Sequence, residues 1–455
     1  MHLGPTFRRF RAMFFLLAVV TVGCSSPVRD NADAPPVSNG PTTTEQSPLP
    51  STTLRQPGDG NTETPELDLT TPERQPPATL DALVGLPGRI LFRSSQGAIT
   101  TMTPDGQELV EMSDAAAGRH SQPTWSGDGS RVSWASIGPT TGATIVTALT
   151  NGTEVVEIPS PTPAFYLAWS PDGSTLAGLG PNAQGVELFF ADVATSAVTR
   201  VGTGQPFFFD WTGDDAVVAS ISDSVLTEIS AANNTATDIE LPGALGVFQA
   251  PASLDGERTL VALSNGTRGN DLAIIDGTTT ETIARAPGPV TFSPNPVNDS
   301  IAVLVNANVT DSQPIFFQDD APPTLPPNRV TIIDPTTAVE QTLDIDGVLT
   351  TQWSPDGTML GVLVAQANGL EWRFVRDTEI IAGDPFVPSQ EFFNSYVPFA
   401  DQYERSSTWW SPDSRAIVFA GAIDGEEGVW VDLVDDERGA VRVADGDIAF
   451  WSPAS

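Results

Sequence analysis

The hydrophobic pattern of the chain changes at about residue 84. Downstream of this point, short apolar runs alternate with clusters of Gly, Asp, Asn and Pro, as in the runs at residues 88–93 and 415–419. Short runs bounded by turn residues are typical of β-strands, and no stretch shows a long 3.6-residue period. The pattern therefore predicts an all-β region over residues 85–455.

A Trp-Ser-Pro-Asp-Gly pentapeptide divides this region into repeats. It occurs unchanged at residues 169–173 and 353–357 and returns in altered or weaker forms elsewhere. The eight matches begin at Trp125, Trp169, Trp211, Ala252, Phe292, Trp353, Trp410 and Trp451. Their spacings are 44, 42, 41, 40, 61, 57 and 41 residues. A period near forty is the length of one four-stranded propeller blade, so the two long intervals indicate insertions.

Each residue of the pentapeptide has a mechanical role in such a blade. The Trp ring fills the wedge between neighbouring blades, and Pro presets φ in the turn that follows. The Asp bonds to its local backbone, and Gly supplies the positive φ at the exit. We therefore interpret these positions as structural, with metal-binding carboxylates as the alternative. The residues assigned to blade turns are Trp125, Trp169, Asp172, Gly173, Trp353, Asp356, Gly357, Trp410, Asp413 and Trp451.

These repeats resemble those of the TolB-type β-propeller family, in which a strand like Arg-Ile-Ala-Phe follows the pentapeptide. The resemblance covers residues 85–455 and implies antiparallel blades with the signature strand, A, innermost. Strands B, C and D follow outwards. For the third blade this implies A to D at residues 165–170, 175–179, 186–192 and 198–201. The separate N-terminal α/β domain of TolB has no counterpart here.

The two ends of the repeat region complement each other. Residues 451–455 form an A strand without a successor, and residues 88–93 form a B strand without a predecessor. Pairing the C-terminal A with the N-terminal B to D closes the ring and leaves no open edge. The prediction is a single β-propeller of eight blades. Seven blades are the alternative, if the match at Ala252 or Phe292 is false.

The first 84 residues predict export and anchoring. A short apolar run at residues 13–20 follows three arginines, which is typical of a signal peptide over residues 1–23. Gly23-Cys24 resembles a bacterial lipobox with Cys24 as the lipidated residue, and LpqB-like lipoproteins also combine a lipid anchor with a propeller. An ordinary secretory peptide is the alternative. Residues 24–84 are rich in Pro, Thr and Ser, which predicts a disordered tether after the lipidated cysteine.

Composition limits the chemistry of the chain. Asp and Glu total 57 against 21 Lys plus Arg, a formal net charge of -36, and a field of this sign repels nucleic acid. Cys24 is the one cysteine, and His2 and His120 are the two histidines. No catalytic constellation is recognised, so we expect neither an enzyme nor a cofactor. Calcium at the acidic loop of residues 344–347 is an alternative.

Candidate binding residues map to the face formed by the B–C and D–A connections. Insertion one, residues 306–328, is predicted as a B–C loop, and insertion two, residues 383–404, as a D–A loop. Long loops on a rigid scaffold commonly carry function, although aromatic residues that pack on the propeller are the structural alternative. The candidates are Phe316, Phe317, Phe392, Phe393, Tyr396, Tyr403, His120, Arg119 and Arg268.

These patterns together predict an extracytoplasmic lipoprotein, held at the cell membrane on the periplasmic side or the outer surface. Its propeller is predicted to be a binding scaffold for an envelope protein or a cell-wall carbohydrate. The alternative function is a carbohydrate- or peptide-acting enzyme, or a ligand sensor, that uses the face with the two insertions.

Overall fold

The repeats fold into eight four-stranded antiparallel sheets arranged in a ring. The computed structural model describes residues 78–454, apart from residues 141, 267, 268, 307–321, 338, 404 and 405. The predicted eight-bladed β-propeller is therefore confirmed. The predicted signal peptide, Cys24 and most of the predicted tether lie outside the described residues.

Seven blades take their four strands consecutively along the chain, from the innermost to the outermost. Blades 2 to 4 comprise β4 (Arg119–Trp125), β5 (Arg131–Gly138), β6 (Gly142–Leu149) and β7 (Val156–Pro159); β8 (Tyr166–Trp169), β9 (Thr175–Asn182), β10 (Gly185–Asp192) and β11 (Val198–Gly204); and β12 (Phe207–Trp211), β13 (Ala216–Ile221), β14 (Val225–Ser230) and β15 (Ala236–Asp238). Blades 5 and 6 comprise β16 (Ala252–Ser253), β17 (Arg258–Ser264), β18 (Asn270–Asp276) and β19 (Thr279–Ala286); and β20 (Val290–Pro294), β21 (Ile301–Val305), β22 (Val330–Asp334) and β23 (Val339–Thr342). Blades 7 and 8 comprise β24 (Val348–Trp353), β25 (Leu360–Gln366), β26 (Gly369–Arg376) and β27 (Glu379–Ala382); and β28 (Val387–Pro388), β29 (Ala416–Ile423), β30 (Glu426–Leu433) and β31 (Val441–Ala444).

Blade 1 joins the two ends of the described chain. It comprises β32 (Gly446–Trp451), β1 (Ile90–Ser94), β2 (Ile99–Met102) and β3 (Val110–Glu111), in that order outwards. The innermost strand β32 pairs antiparallel with β1, with Trp451 opposite Ile90. The Trp451 indole donates to the Pro87 carbonyl at 2.9 Å, and Ser452 Oγ accepts from the Arg89 amide at 2.9 Å. The predicted closure is confirmed.

The second strand of each blade lies inside its sheet, and each sheet is covered by a blade on either side. All five residues of β21 are buried, and so are five consecutive residues of β25. A strand with both faces covered reads as a continuous apolar run rather than as an alternating one. The core is therefore divided into clusters that lie between adjacent blades.

Four signature tryptophans each connect their own blade to the preceding one by a hydrogen bond. Trp125, Trp211, Trp353 and Trp410 donate their indole N–H to a main-chain carbonyl on the inner strand of the blade before them, at 3.0–3.3 Å. Burying a large ring is favourable, and bonding its single polar atom removes the cost of desolvating it. Blades 5 and 6 have Ala252 and Phe292 at this position and lack the indole bond, and the buried Trp169 indole of blade 3 has no hydrogen-bond partner among the described residues.

A short segment precedes the first strand. A 3₁₀ helix at Leu80–Leu83 lies beside β31, and Leu83 and Leu86 are buried in the core between blades 8 and 1. Among the described residues, no helix has both the length and the apolar character needed to cross a bilayer.

Candidate functional site

The inner strand of blade 8 is interrupted. Its first part, β28, pairs with Ala422 and Gly421 of β29. The chain returns to the same strand at Trp409, whose carbonyl accepts from the Val418 amide at 2.9 Å. Between these points the chain leaves the sheet after Ser389 and returns at Trp409. The excursion replaces the single residue that would otherwise lie opposite Phe419. We call the described residues of this excursion, 390–403 and 406–408, the channel segment.

The location of insertion two corrects the sequence analysis. We predicted residues 383–404 as a D–A loop on the face formed by the B–C and D–A connections. The D–A connection is only residues 383–386, because Val387 already pairs with β29. The remainder lies inside an inner strand, so it extends towards the axis of the ring. Its helical turns span Phe392–Tyr396, Val397–Phe399 and Ala400–Tyr403.

The channel segment reaches the opposite side of the ring. The Tyr403 ring lies 4.9 Å from that of Tyr166 on blade 3 and 5.7 Å from that of Phe208 on blade 4, measured between centroids. Its hydroxyl donates to the Phe207 carbonyl at 3.4 Å. Since the segment starts on blade 8, these contacts require it to cross the central channel.

The return path of the segment is held by polar side chains from other inner strands. Thr124 Oγ1 of blade 2 donates to the Ser406 carbonyl at 3.0 Å. Gln352 Nε2 of blade 7 donates to the Ser407 carbonyl at 2.6 Å. The channel segment therefore has contacts with blades 2, 3, 4 and 7.

The other aromatic candidates of insertion two also have intramolecular contacts. Phe392 is buried, and its ring centroid lies 6.0 Å from that of Trp409. Tyr396 packs on Phe450 of blade 1 at 5.4 Å. Burial raises the pKa of the Tyr396 hydroxyl well above its usual range, so the ring stays neutral. Phe393 is partly buried.

A buried arginine joins the segment to the ring closure. Arg93, near the end of β1, makes a bidentate salt bridge with Asp447 of β32, with N–O distances of 2.9 and 2.6 Å. The same guanidinium binds Glu391 at 2.8 Å and the His120 carbonyl at 3.2 Å. We call Arg93, Asp447 and Glu391 the arginine cluster. The sequence analysis missed Arg93, although a charge next to the apolar residues 90–92 was a usable signal.

His120 and Arg119 lie in a strand, not in a loop as predicted. They begin β4, because His120 pairs with Ser136 of the next strand. His120 is buried, its Nε2 lies 3.0 Å from the Asp114 carbonyl, and its ring meets the edge of Trp134. Arg119 is exposed.

Three candidates lie outside the described residues, namely Phe316, Phe317 and Arg268. Insertion one connects β21 to β22, so it is the predicted B–C loop. Its described end runs along the outer strand of blade 5, where Arg285 exchanges backbone bonds with Pro323 and Leu325.

The pentapeptide turns share one hydrogen-bond pattern. Ser170 Oγ donates to Asp172 at 2.6 Å, and the Ser174 amide donates to the same carboxylate at 3.0 Å. These bonds, the one from Ser170 first, lower the pKa of Asp172. Gly173 has a φ of 71°, which glycine adopts without strain. The turns at Asp128, Asp356 and Asp413 repeat the serine-to-aspartate bond.

The acidic loop considered for calcium is paired with an arginine. Arg329 contacts both Asp344, at 3.7 Å, and Asp346. Within the part of the chain that the structure describes, no group of three or more His, Cys, Asp and Glu side chains has a metal-binding arrangement.

A buried carboxylate pair lies between blades 7 and 8. Asp432 is 4% exposed and accepts from the Asp384 amide at 3.3 Å. Asp384 in turn accepts from the Ala440 amide at 2.7 Å. Burial, assisted by the charges of Asp384 and Asp436, raises the pKa of Asp432 to about 7.

Comparison with known proteins shows the fold alone. No protein-family model and no curated protein matches the chain. Among solved structures, dihydro-heme d1 dehydrogenase NirN is 14% identical with a TM-score of 0.53, over 80% of this chain and 74% of that one. The propeller domain of the Trilobed protease from Pyrococcus furiosus is 13% identical with a TM-score of 0.45, over 72% and 99%. TolB from Acinetobacter baumannii is 16% identical with a TM-score of 0.36, over 67% of both chains. The chain is thus a β-propeller protein, and TolB is one of the structures that it resembles.

The arginine cluster yields a stability prediction. Arg93→Ala leaves Asp447 and Glu391 without their cation, and because both carboxylates are only partly buried we expect a loss of about 2–3 kcal/mol, less than for a fully buried pair. Urea unfolding of the full chain measures this loss. Arg415→Ala is the matched control, because its pair with Asp413 is mostly exposed and is expected to contribute less than about 1 kcal/mol. Equal losses in the two variants would contradict the assignment.

Asp432 yields a pH prediction. Its folded pKa of about 7 exceeds its ordinary value of 3.8, so the native state binds more protons between these pH values. The free energy of unfolding therefore falls as pH rises towards 7. Asp432→Asn is expected to gain roughly 2–3 kcal/mol relative to the wild type on going from pH 5 to pH 8. Urea unfolding at both pH values tests this, with the exposed Asp435→Asn as control. Parallel curves for the wild type and Asp432→Asn would refute it.

Proposed function

We propose that this chain is a membrane-anchored extracytoplasmic lipoprotein. Its propeller acts as a non-catalytic scaffold that binds an envelope protein or cell-wall ligand through the rim face, which is the face formed by the B–C and D–A connections. The observation that carries the proposal is the channel segment. Because residues that start on blade 8 cross the centre of the ring to blades 3 and 4, they obstruct the central channel, and we assign recognition to the rim.

The ion pairs and hydrogen bonds of the candidate acid and base residues favour a binding role over a hydrolytic one. Glu391 is paired with Arg93, and Asp384 accepts from the Ala440 amide. His120, the one histidine of the described chain, is buried with its Nε2 bonded to a carbonyl. A general acid or base has to reach its substrate, and these side chains are committed to contacts within the protein.

The rim also has apolar surface to offer. Ile137, Val225, Val247, Phe248 and Val387 are exposed large hydrophobic residues on this face. Exposed apolar side chains on a rigid frame are typical anchors of protein interfaces. Long connections that differ between blades give this face a shape that the regular pentapeptide turns of the opposite face lack.

The anchor is tested at Cys24. Cys24→Ser removes the thiol that would be acylated, so the chain is expected to move from the membrane fraction to the soluble exported fraction and to lose palmitate labelling. Thr21→Leu is the matched control, because it brings the lipobox closer to its usual form and should stay in the membrane. Membrane retention of Cys24→Ser would rule out the lipid anchor.

The rim is tested by placing charge on each face in turn. We expect Val247→Glu combined with Val387→Glu to lower capture of the partner from solubilised membranes, or binding to an array of cell-wall glycans, by about tenfold. Leu109→Glu combined with Val155→Glu adds the same charge on the pentapeptide face and should leave binding unchanged. Equal effects of the two pairs, or turnover of glycans or peptides by the purified chain, would contradict the proposal.

A further inference from the structure

The inner strand of blade 5 is interrupted as well. Leu245 bridges to Leu263 of β17, and Ala252 pairs with Leu260 of the same strand. An uninterrupted strand would reach Leu260 four residues earlier. The extra residues form a bulge, which we define as residues 247–251. Bulges of this kind re-aim side chains at defined positions.

The bulge presents two apolar side chains on the rim face. Val247 is 63% exposed and Phe248 is 39% exposed. Phe248 has a φ of 56°, a left-handed conformation that is rare and strained for a bulky residue. Strain that the surrounding structure maintains is concentrated at functional sites.

The conformation of the bulge is held by hydrogen bonds from one buried and one partly exposed side chain, Gln249 and Asp223. Gln249 is buried, and its Nε2 donates to the carbonyls of Val247 and Phe248 at 3.3 and 3.1 Å. Its Oε1 accepts from the Val290 amide of blade 6 at 3.3 Å. Asp223 of blade 4 accepts from the Phe248 amide at 3.0 Å. The apolar pair is therefore held before any partner arrives, which lowers the entropy cost of binding.

The charge around the bulge selects the partner. Residues 201–257 contain nine acidic residues and no Lys or Arg. Asp223 and Glu240 lie in connections on the rim face, the same face as the bulge, and Asp238 ends β15 at that face. On the neighbouring outer strand, Arg285 is already near Asp271, at 3.9 Å. An acidic surround attracts a positively charged protein surface and repels nucleic acid and anionic lipid.

We propose that Val247 and Phe248 insert into an apolar pocket on a basic partner protein, with the acidic residues of blade 4 meeting its cations. This inference rests on the proposed function and identifies the part of the rim that carries it. Phe248 is the anchor of the contact, because an aromatic ring with few rotatable bonds buries a large area at little entropy cost.

The test is photo-cross-linking in intact cells that produce the full chain. A benzoylphenylalanine residue is placed at position 247, and at position 297 on the opposite face as control, because Val247 and Val297 are equally exposed at 63%. We expect one protein adduct at position 247, absent at position 297, whose protein has more Lys plus Arg than Asp plus Glu. No adduct at 247, equal adducts at both positions, an acidic partner, a second copy of this chain or a lipid would each overturn the inference.

The captured protein is then purified, and its binding to the full chain is measured. Phe248→Gly is expected to weaken binding by at least about tenfold while leaving the melting temperature unchanged or higher, because glycine adopts the left-handed conformation freely. A merely structural Phe248 would lower the melting temperature. Binding should also weaken as salt is raised, since exposed charges are screened. Unchanged affinity of Phe248→Gly would overturn the inference.

Cross-linkers at positions 137 and 387 separate this inference from the proposed function. Adducts there without one at position 247 would overturn the docking site at the bulge and leave rim binding in place. Adducts at none of the rim positions would overturn both.

Discussion

The structure depends on a single guanidinium that holds three distant parts of the chain together. Arg93 belongs to the first strand, Asp447 to the last strand and Glu391 to the channel segment. The main-chain carbonyl of Asp447 also accepts from the hydroxyl of Ser389, the residue before the channel segment. Contacts between residues so far apart in sequence form only after a large loss of chain entropy. Ring closure and channel filling are therefore coupled, because each presents a carboxylate to the same cation.

The fold was predictable because its signals are local. Pro, Asp and Gly in the pentapeptide specify a turn through their own backbone preferences, as the bonds around Asp172 and the φ of Gly173 show. Because this turn recurs about once per blade, the number of blades can be read from the sequence without any knowledge of tertiary contacts. The closing pair, Trp451 opposite Ile90, followed from the same repeats, because the N-terminal repeat lacks a strand A and the C-terminal repeat consists of a strand A alone.

The channel segment was not predictable because its position depends on a long-range register. Whether Val387 begins a strand or continues a loop is decided by its pairing with Ala422, which no local pattern encodes. Because this one pairing was missed, several candidate residues were predicted on a surface loop although they lie inside the ring. Tyr403 and Tyr396, chosen because a hydroxyl tolerates water, pack against Tyr166 and Phe450 inside the ring. Arg93 was overlooked because its partners are separated from it by hundreds of residues.

The two interrupted inner strands differ in length, and length decides what each can do. An excursion of nineteen residues has a reach of about 30 Å out and back, enough to span a propeller channel, whereas one of five residues reaches only about 8 Å. The longer one is therefore absorbed into the core and the shorter one stays at the surface. The bulge also lies where the tryptophan ties are missing, and Gln249 and Asp210 bond across those junctions instead. Blade 5 thus combines a weak signature at Ala252, a split strand and an exposed Phe248, which are three consequences of one local departure from the repeat.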